Sequence, residues 1–319
     1  MFLTNHTHPS AGSRRRPVST GMRTLLYGLT ALTFVVGTQL VVLAEHTAAF
    51  FSWTIAQPMS AAFIGAGFWS AATVVFWASR QRDWVRTRMI VPTVAVVATM
   101  LLIATVQHLE EFHGAIGLGW IEVYAIFPPL LGALTVMQLG VPGRDLHSGT
   151  HLPSALRLVL AAQALVAVGV GVALFAAAGS AVSWWPWELT DLTSKAVGTW
   201  LVGTGMTCGF VAAVDDREVL PGWALAQVVL GGGVLLNLAR FGGGIDLGSL
   251  GALLLIGYFA GTLASGACGA WLAWREGRFA PTPRLGGIPV EIRPPRPSLS
   301  HSSVFEARTM SSAPAGEEE

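Results

Sequence analysis

Apolar residues run in eight nearly uncharged stretches along this chain, at about 22–44, 58–79, 89–107, 120–139, 155–178, 195–214, 220–239 and 248–273. Each comes close to the roughly 20 residues that a helix needs to cross a bilayer. The runs are continuously apolar, whereas barrel strands alternate over about 10 residues, so the pattern predicts helices. The expected class is an all-α integral membrane protein with eight transmembrane helices. Arg14, Arg15 and Arg16 followed by an apolar run ending in VLA imitate a secretory signal. That run exceeds the usual apolar core of about 7 to 15 residues, so it reads as a retained helix.

The pattern also repeats. Shifting residues 22–67 by 134 positions onto 156–201, without a gap, pairs Arg23 with Arg157, Gly37 with Gly171, Leu40 with Leu174, Trp53 with Trp187 and Ser60 with Ser194. The same offset pairs Tyr124 with Tyr258 and Gly132 with Gly266. A constant offset combined with the same order of spans and loop chemistry predicts two four-helix repeats. Four is even, so both copies enter the membrane in one direction and form parallel repeats about an axis along the membrane normal. The organisation expected is a basic tail at 1–20, a first repeat at 21–140, a linker at 141–154, a second repeat at 155–275 and a polar tail at 276–319. Both tails are rich in Ser, Pro, Arg or Glu, lack periodicity, and are expected to be disordered in the cytoplasm.

Composition agrees with a membrane class: 52% of residues are hydrophobic, 12% are charged and the mean hydropathy is +0.57, too little polar surface to coat a soluble globule. Charge sets the expected orientation. With both tails in the cytoplasm, all of the 19 Lys and Arg residues except Lys195 and Arg240 fall on that side, as the positive-inside rule requires of a plasma-membrane protein. The run RQRDWVRTR at 80–88 reads as a topology determinant in contact with anionic lipid. The outer side collects Glu45, Glu110, Glu111, Glu122, Glu188, Asp191 and Asp246 with His46, His108 and His113. Trp53, Trp120, Trp184, Trp185 and Trp187 belong to the same level, as in an aromatic belt. Cys208 and Cys268 lie inside predicted spans and make a poor disulfide framework.

Chemistry is sparse. The central thirds of the spans hold only uncharged polar residues such as Gln39, Gln163, Gln227 and Asn237, which disfavours proton coupling through carboxylates. Pro128 and Pro129 are expected to bend the fourth helix. The outer face is asymmetric between the repeats. Acids and histidines concentrate in the first, where Glu45, His46 and His108 correspond to Gly179, Ser180 and Gly242. The two cations sit in the second, where Lys195 and Arg240 correspond to Ala61 and Val106. Glu45, Glu111, Glu122, Asp191, Lys195 and Arg240 are therefore candidate ligand-binding residues of an outer cleft between repeats. Within HLEEFH, Glu110 and His113 have the E-x-x-H spacing of helical metal ligands, with His46 and His108 as further candidates. A di-metal site needs two such motifs, and this chain has one. His108 and His113 are also about 140° apart on a continuous helix. No P-loop, HExxH, GxSxG or paired CxxC occurs.

The segments WTI followed by Pro and SAAFIGAG, then HLEEFH, VYAIFPPLL and WPWELTDLTSKAVGTWL, resemble an uncharacterised actinobacterial family of multi-pass membrane proteins. The resemblance covers roughly residues 20–275 and implies no particular activity, cofactor or site residue. The functional expectation is a transporter, permease-like or ligand-binding membrane protein with an outer-face polar cleft. A redox or metal-binding component using the outer histidines and a structural subunit of a membrane complex are the alternatives. An enzyme is the less favoured reading and the cofactor is unknown. The expected partners are the lipid bilayer, a second copy of the chain or a membrane-complex subunit, and no feature points to nucleic acid.

Overall fold

A computed structural model describes residues 15–145, 148–177 and 183–279. The expected tails lie largely outside these residues. Eight long helices are present: α1 Thr20–Val42, α2 Pro58–Ser79, α3 Ile90–Gln107, α4 Gly114–Leu139, α5 Ser154–Ala176, α6 Asp191–Val214, α7 Leu220–Phe241 and α8 Leu250–Arg275. Each belongs to a segment long and apolar enough to cross a membrane. Their ends follow local chemistry. Ser19, Thr190 and Ser249 accept hydrogen bonds from the backbone N–H of Met22, Thr193 and Ala252, capping α1, α6 and α8. Pro58 sits in the first turn of α2, where its missing N–H costs nothing. Pro128 and Pro129 lie within α4, which continues through both to Leu139.

Four helices fill the centre and four lie outside. α2 packs on α1 and α7, α6 on α5 and α3, α7 on α8, and α3 on α4. The share of buried residues separates the two groups: 72% of the span containing α2 is buried, against 11% of that containing α4. Glycine sets the closest approaches. A Cβ on Gly37 would meet the Gly65 carbonyl oxygen at 3.0 Å, and one on Gly171 would meet that of Gly198 at 2.6 Å. Gly231 and Gly266 likewise bring the backbones of α7 and α8 together. In a lipid medium such small-residue contacts are a principal source of helix association. Uncharged polar side chains supplement them: Ser70 donates to the Ala226 carbonyl at 2.9 Å, and Asn237 to that of Ala62 at 3.2 Å.

The two ends of the bundle differ in chemistry. At the arginine-rich end, Arg15 forms two 2.8 Å hydrogen bonds with Glu218, and Arg86 also faces that carboxylate at 3.8 Å. Arg16 and Arg88 share Asp145, while Arg217 and Arg278 share Glu276. Residues 15–19, expected within a tail, are instead fastened. Val18 N–H donates to Arg82 O, Trp84 N–H to Arg16 O and Ser19 N–H to the Gln138 side chain. Arg86 and Arg88 of the RQRDWVRTR run thus engage internal carboxylates.

The opposite, acidic end corrects the expected aromatic belt. Trp184 is exposed, but Trp53, Trp120, Trp185 and Trp187 are buried. Trp53 packs against Phe51, Phe112 and Trp120, and Phe63 of α2 meets Trp185, Trp187 and Phe259. Trp187 Nε1 donates to Ser60 Oγ at 2.8 Å. These rings carry more apolar area than an interfacial position would bury, and the connecting segments fold inward to place them in the core. Cys208 is buried and accepts hydrogen bonds from Gln227 and Trp223, whereas Cys268 is exposed; both are free thiols.

Candidate functional site

The ten residues expected at an outer site do not form one constellation. Arg240 Nη1 donates to the Val41 carbonyl at 2.9 Å, at the end of α1, and Lys195 Nζ donates to the Phe175 carbonyl at 3.0 Å, at the end of α5. Both cations thereby satisfy carbonyls in the last turn of a helix, where the dipole favours positive charge and neither helix supplies a basic residue of its own. Each also lies over a phenyl ring, Arg240 on Phe241 and Lys195 on Phe175. Among the described residues neither forms a salt bridge.

His108, Glu110, Glu111 and His113 lie around the turn between α3 and α4, whereas Glu45 and His46 belong to a 3-10 turn that follows α1. His108 Nδ1 is 3.0 Å from the Ala104 carbonyl, so the Nδ1–H tautomer closes the end of α3. Residues 109–111 form a separate 3-10 turn, and His113 precedes α4. The half-buried Glu111 feels His108, Glu110, Asp191 and His113; desolvation first of all, then repulsion from Glu110 and Asp191, holds its carboxyl above the usual range against the two histidines. Asp191 opens α6, so this acidic turn meets the first turn of a helix in the other half of the chain. Glu45, His46, Glu110 and His113 are exposed. No group of three or more His, Cys, Asp or Glu side chains suited to a metal occurs among the described residues. Glu122, expected in an outer loop, is an exposed residue of α4, because that helix starts at Gly114, ahead of the apolar run.

A different place in the fold has the form of a binding site. A cavity of about 360 Å³ lies among α1, α2, α3 and α4, floored by parts of α6 and α7. Positions 134 residues apart differ around it. Gly231, which lets α8 close onto α7, has Val97 as its counterpart 134 residues earlier, and Val97 lines the cavity. Gly266 is in tight contact with α7, whereas a Cβ on its counterpart Gly132 would meet nothing within 4 Å. α4 therefore stands off from α3 where α8 seals onto α7. Leu32 of α1 and Ile116 and Val123 of α4 both line the cavity and are exposed, which puts an opening between α1 and α4 on the lateral surface of the bundle.

The walls are apolar and aromatic, with polar groups of two kinds. Thr33, Ser70, Thr204 and Thr207 donate to backbone carbonyls. Gln39, Ser52, Thr93 and Tyr124 line the same space, and their side chains make no hydrogen bond among the described residues. Ser52 and Thr93 are nonetheless at least nine-tenths buried, at 4% and 9% exposure. Tyr258, the counterpart of Tyr124, donates to the Gln163 carbonyl at 3.3 Å. Buried polar groups normally find partners, so Ser52 and Thr93, with the half-buried Gln39 and Tyr124 beside them and the unpartnered Trp200 indole N–H in the same wall, indicate a place for a ligand.

A second crevice, between α5 and α8, is lined at positions equivalent to the first: Val166, Val170, Leu250, Leu254 and Tyr258 lie 134 residues after Leu32, Val36, Ile116, Trp120 and Tyr124. Several of its polar groups are committed locally, while the buried Trp185 indole N–H on its wall has no partner among the described residues. Ser249 caps α8, Asp246 accepts from Gly248 N–H, and Tyr258 is bonded as described. Sequence reasoning marked Gln39 as a polar residue within a span but missed Ser52, Thr93 and Tyr124. The available signal was the 97/231 exchange of valine for glycine.

No protein-family model, curated protein or solved structure matches this chain.

Proposed function

We propose that this protein is a polytopic plasma-membrane protein with both termini in the cytoplasm, built as two parallel four-helix repeats, and that it binds an apolar ligand taken from the bilayer. The role is ligand binding of a permease-like kind, without catalysis. The observation that carries it is the set of four unpartnered polar side chains in the cavity of the first repeat. Such a cavity, mostly apolar with a few convergent polar groups and above about 300 Å³, has the form of a small-molecule site. The ligand site moves from the expected outer cleft because Lys195 and Arg240 are engaged at helix ends and aromatic rings pack where the cleft was sought.

The repeat reading is supported by the pattern of helix packing. Exchanging α1–α4 with α5–α8 turns each main contact into another: α1–α2 into α5–α6, α2–α7 into α6–α3, and α3–α4 into α7–α8. The Gly37–Gly65 and Gly171–Gly198 approaches, in which Gly198 is one residue short of the 134 offset from Gly65, and the two crevices follow the same exchange of helices. Divergence of the repeats then explains why the tyrosine hydroxyl is free in one crevice and bonded in the other.

The test is to fill the cavity. A Cβ at Gly119, which lines it, meets nothing within 4 Å, so Gly119→Phe is expected to fold and to abolish binding of a pyrene-labelled hydrocarbon by the purified full chain in nanodiscs. Unchanged binding, with the thermal transition intact, rejects the site.

One observation favours a second reading, a subunit of a larger membrane assembly. Glu122 is exposed on the most weakly buried helix, eight residues or about 12 Å from its start, where an ionised side chain facing lipid is costly. Native mass spectrometry in mild detergent tests it: an oligomer that dissociates in Ile126→Trp, on the exposed surface of α4, supports this reading, and a monomer throughout removes it.

A further inference from the structure

We infer that the cavity between α1 and α4 takes an uncharged lipid of the isoprenoid-quinone class, a planar ring with carbonyl acceptors on a hydrocarbon chain, and that the Tyr124 hydroxyl donates to a ring carbonyl. This rests on the reading of the cavity as a ligand site and adds the chemistry of the occupant.

Four features select that chemistry. No Asp, Glu, Lys, Arg or His lines the cavity. A phosphate or carboxylate drawn into it would be left without a counter-charge in an apolar medium, so the bound part of the ligand carries no net charge. Each unpartnered group, the amide of Gln39 and the hydroxyls of Ser52, Thr93 and Tyr124, is able to donate a hydrogen bond as well as to accept one, and so can serve carbonyl acceptors on the ligand. The walls include the rings of Phe51, Phe68, Trp120, Phe127 and Trp200, which offer faces and edges to a flat conjugated ring better than to a flexible chain.

Shape and access supply the fourth feature. The lining of α1 extends from Leu29 to Gln39 and that of α4 from Ile116 to Phe127, about 15 Å along each helix. The space is therefore elongated along the bundle, and its opening past Leu32 and Ile116 faces the surface that lipid covers. A ring with a chain attached enters from the bilayer and leaves its tail in the opening. A phospholipid has its ester carbonyls and phosphate at the headgroup level, whereas Tyr124 is ten residues into the membrane span of α4 and meets a carbonyl buried in the hydrocarbon.

The second half of the chain provides an internal control. Tyr258 occupies the equivalent position but spends its hydroxyl on the Gln163 carbonyl, and no unpaired acceptor on a ligand is needed there. Removing the two hydroxyls in turn distinguishes a ligand contact from a general effect of tyrosine on packing.

The experiment measures binding of decylubiquinone and of decylbenzene, which lacks the carbonyls, to the full chain in phosphatidylcholine nanodiscs, relative to empty nanodiscs. The expected result is one decylubiquinone per chain, weakened about five- to tenfold in Tyr124→Phe and unchanged in Tyr258→Phe, as for loss of one hydrogen bond. Decylbenzene binding is expected to be equal in wild type and Tyr124→Phe, and Gly119→Phe should remove both. If the two ligands bind equally and Tyr124→Phe changes neither, the quinone assignment is overturned while the cavity remains a site. If neither binds above the empty discs, the ligand-site reading fails with it. Lipid extracted from the protein as purified from its membrane supplies an independent arm. A quinone depleted in Gly119→Phe supports the inference, and depletion of a phospholipid instead overturns it.

Discussion

Lys195 and Arg240 illustrate how little a residue type says about its role until its neighbour is known. Both have the composition of ligand-binding cations in an outer cleft, yet each donates to a carbonyl at the end of a helix, and Val41 and Phe175, the two acceptors, are themselves 134 residues apart. Two different side chains from non-equivalent positions perform the same capping at equivalent helix ends. Glu111 carries a prediction on pH. Its carboxyl is held above the usual range by desolvation, with Glu110 and Asp191 adding repulsion, so it binds a proton more readily folded than unfolded. Such a group opposes folding above its folded pKa and ceases to do so as pH falls through and below its ordinary value. Glu111→Gln is accordingly expected to raise the thermal midpoint at pH 7.5 and to leave it unchanged at pH 4. An equal shift at both pH values would show that the effect is not one of ionisation.

At the scale of the helix, glycine decides which pairs close. Gly198 on α6 sits so near α5 that an added Cβ would lie 2.5 Å from the Gly171 carbonyl oxygen, and backbone cannot yield as a flexible side chain can. Gly198→Ala is expected to destabilise by about 1 to 3 kcal/mol, the range for overpacking a tight core. Gly132→Ala, on the open side of α4, is expected to be neutral or stabilising by up to about 1 kcal/mol, since only helix propensity changes. Denaturation of the two variants in the same detergent checks the contrast, and equal losses would refute the difference in packing. The constant offset of 134 residues was legible at this scale from Gly37, Gly171, Gly132 and Gly266. Its consequence was not, because Gly132 and Gly266 look identical in the sequence, yet Gly266 lies against Ala224, Gln227 and Val228 of α7 while a Cβ at Gly132 meets nothing within 4 Å.

At the scale of the whole molecule, the arginine-rich network ties residues 15–19 to the α2–α3 and α4–α5 connections and to Glu218 at the start of α7. If that end faces the cytoplasm, an impermeant maleimide should label Gly243→Cys in intact cells and Arg82→Cys only after permeabilisation, in a chain carrying Cys268→Ser. The reverse order of labelling would invert the proposed orientation. Hydrophobic length by itself determined eight helices long and apolar enough to cross a membrane, because a continuously apolar run of about 20 residues in a bilayer about 30 Å thick satisfies its backbone hydrogen bonds within itself by coiling into a helix. Charge distribution likewise separated the arginine-rich end from the acidic one. Only tertiary structure decided which apolar residues face lipid and which face protein, since leucine, valine and tryptophan suit both, and so it alone revealed that the tryptophans of the acidic end are core. It also decided the site. Ser52, Thr93 and Tyr124 are ordinary residues of apolar segments until packing surrounds a shared space with their hydroxyls and leaves them no partner among the described residues.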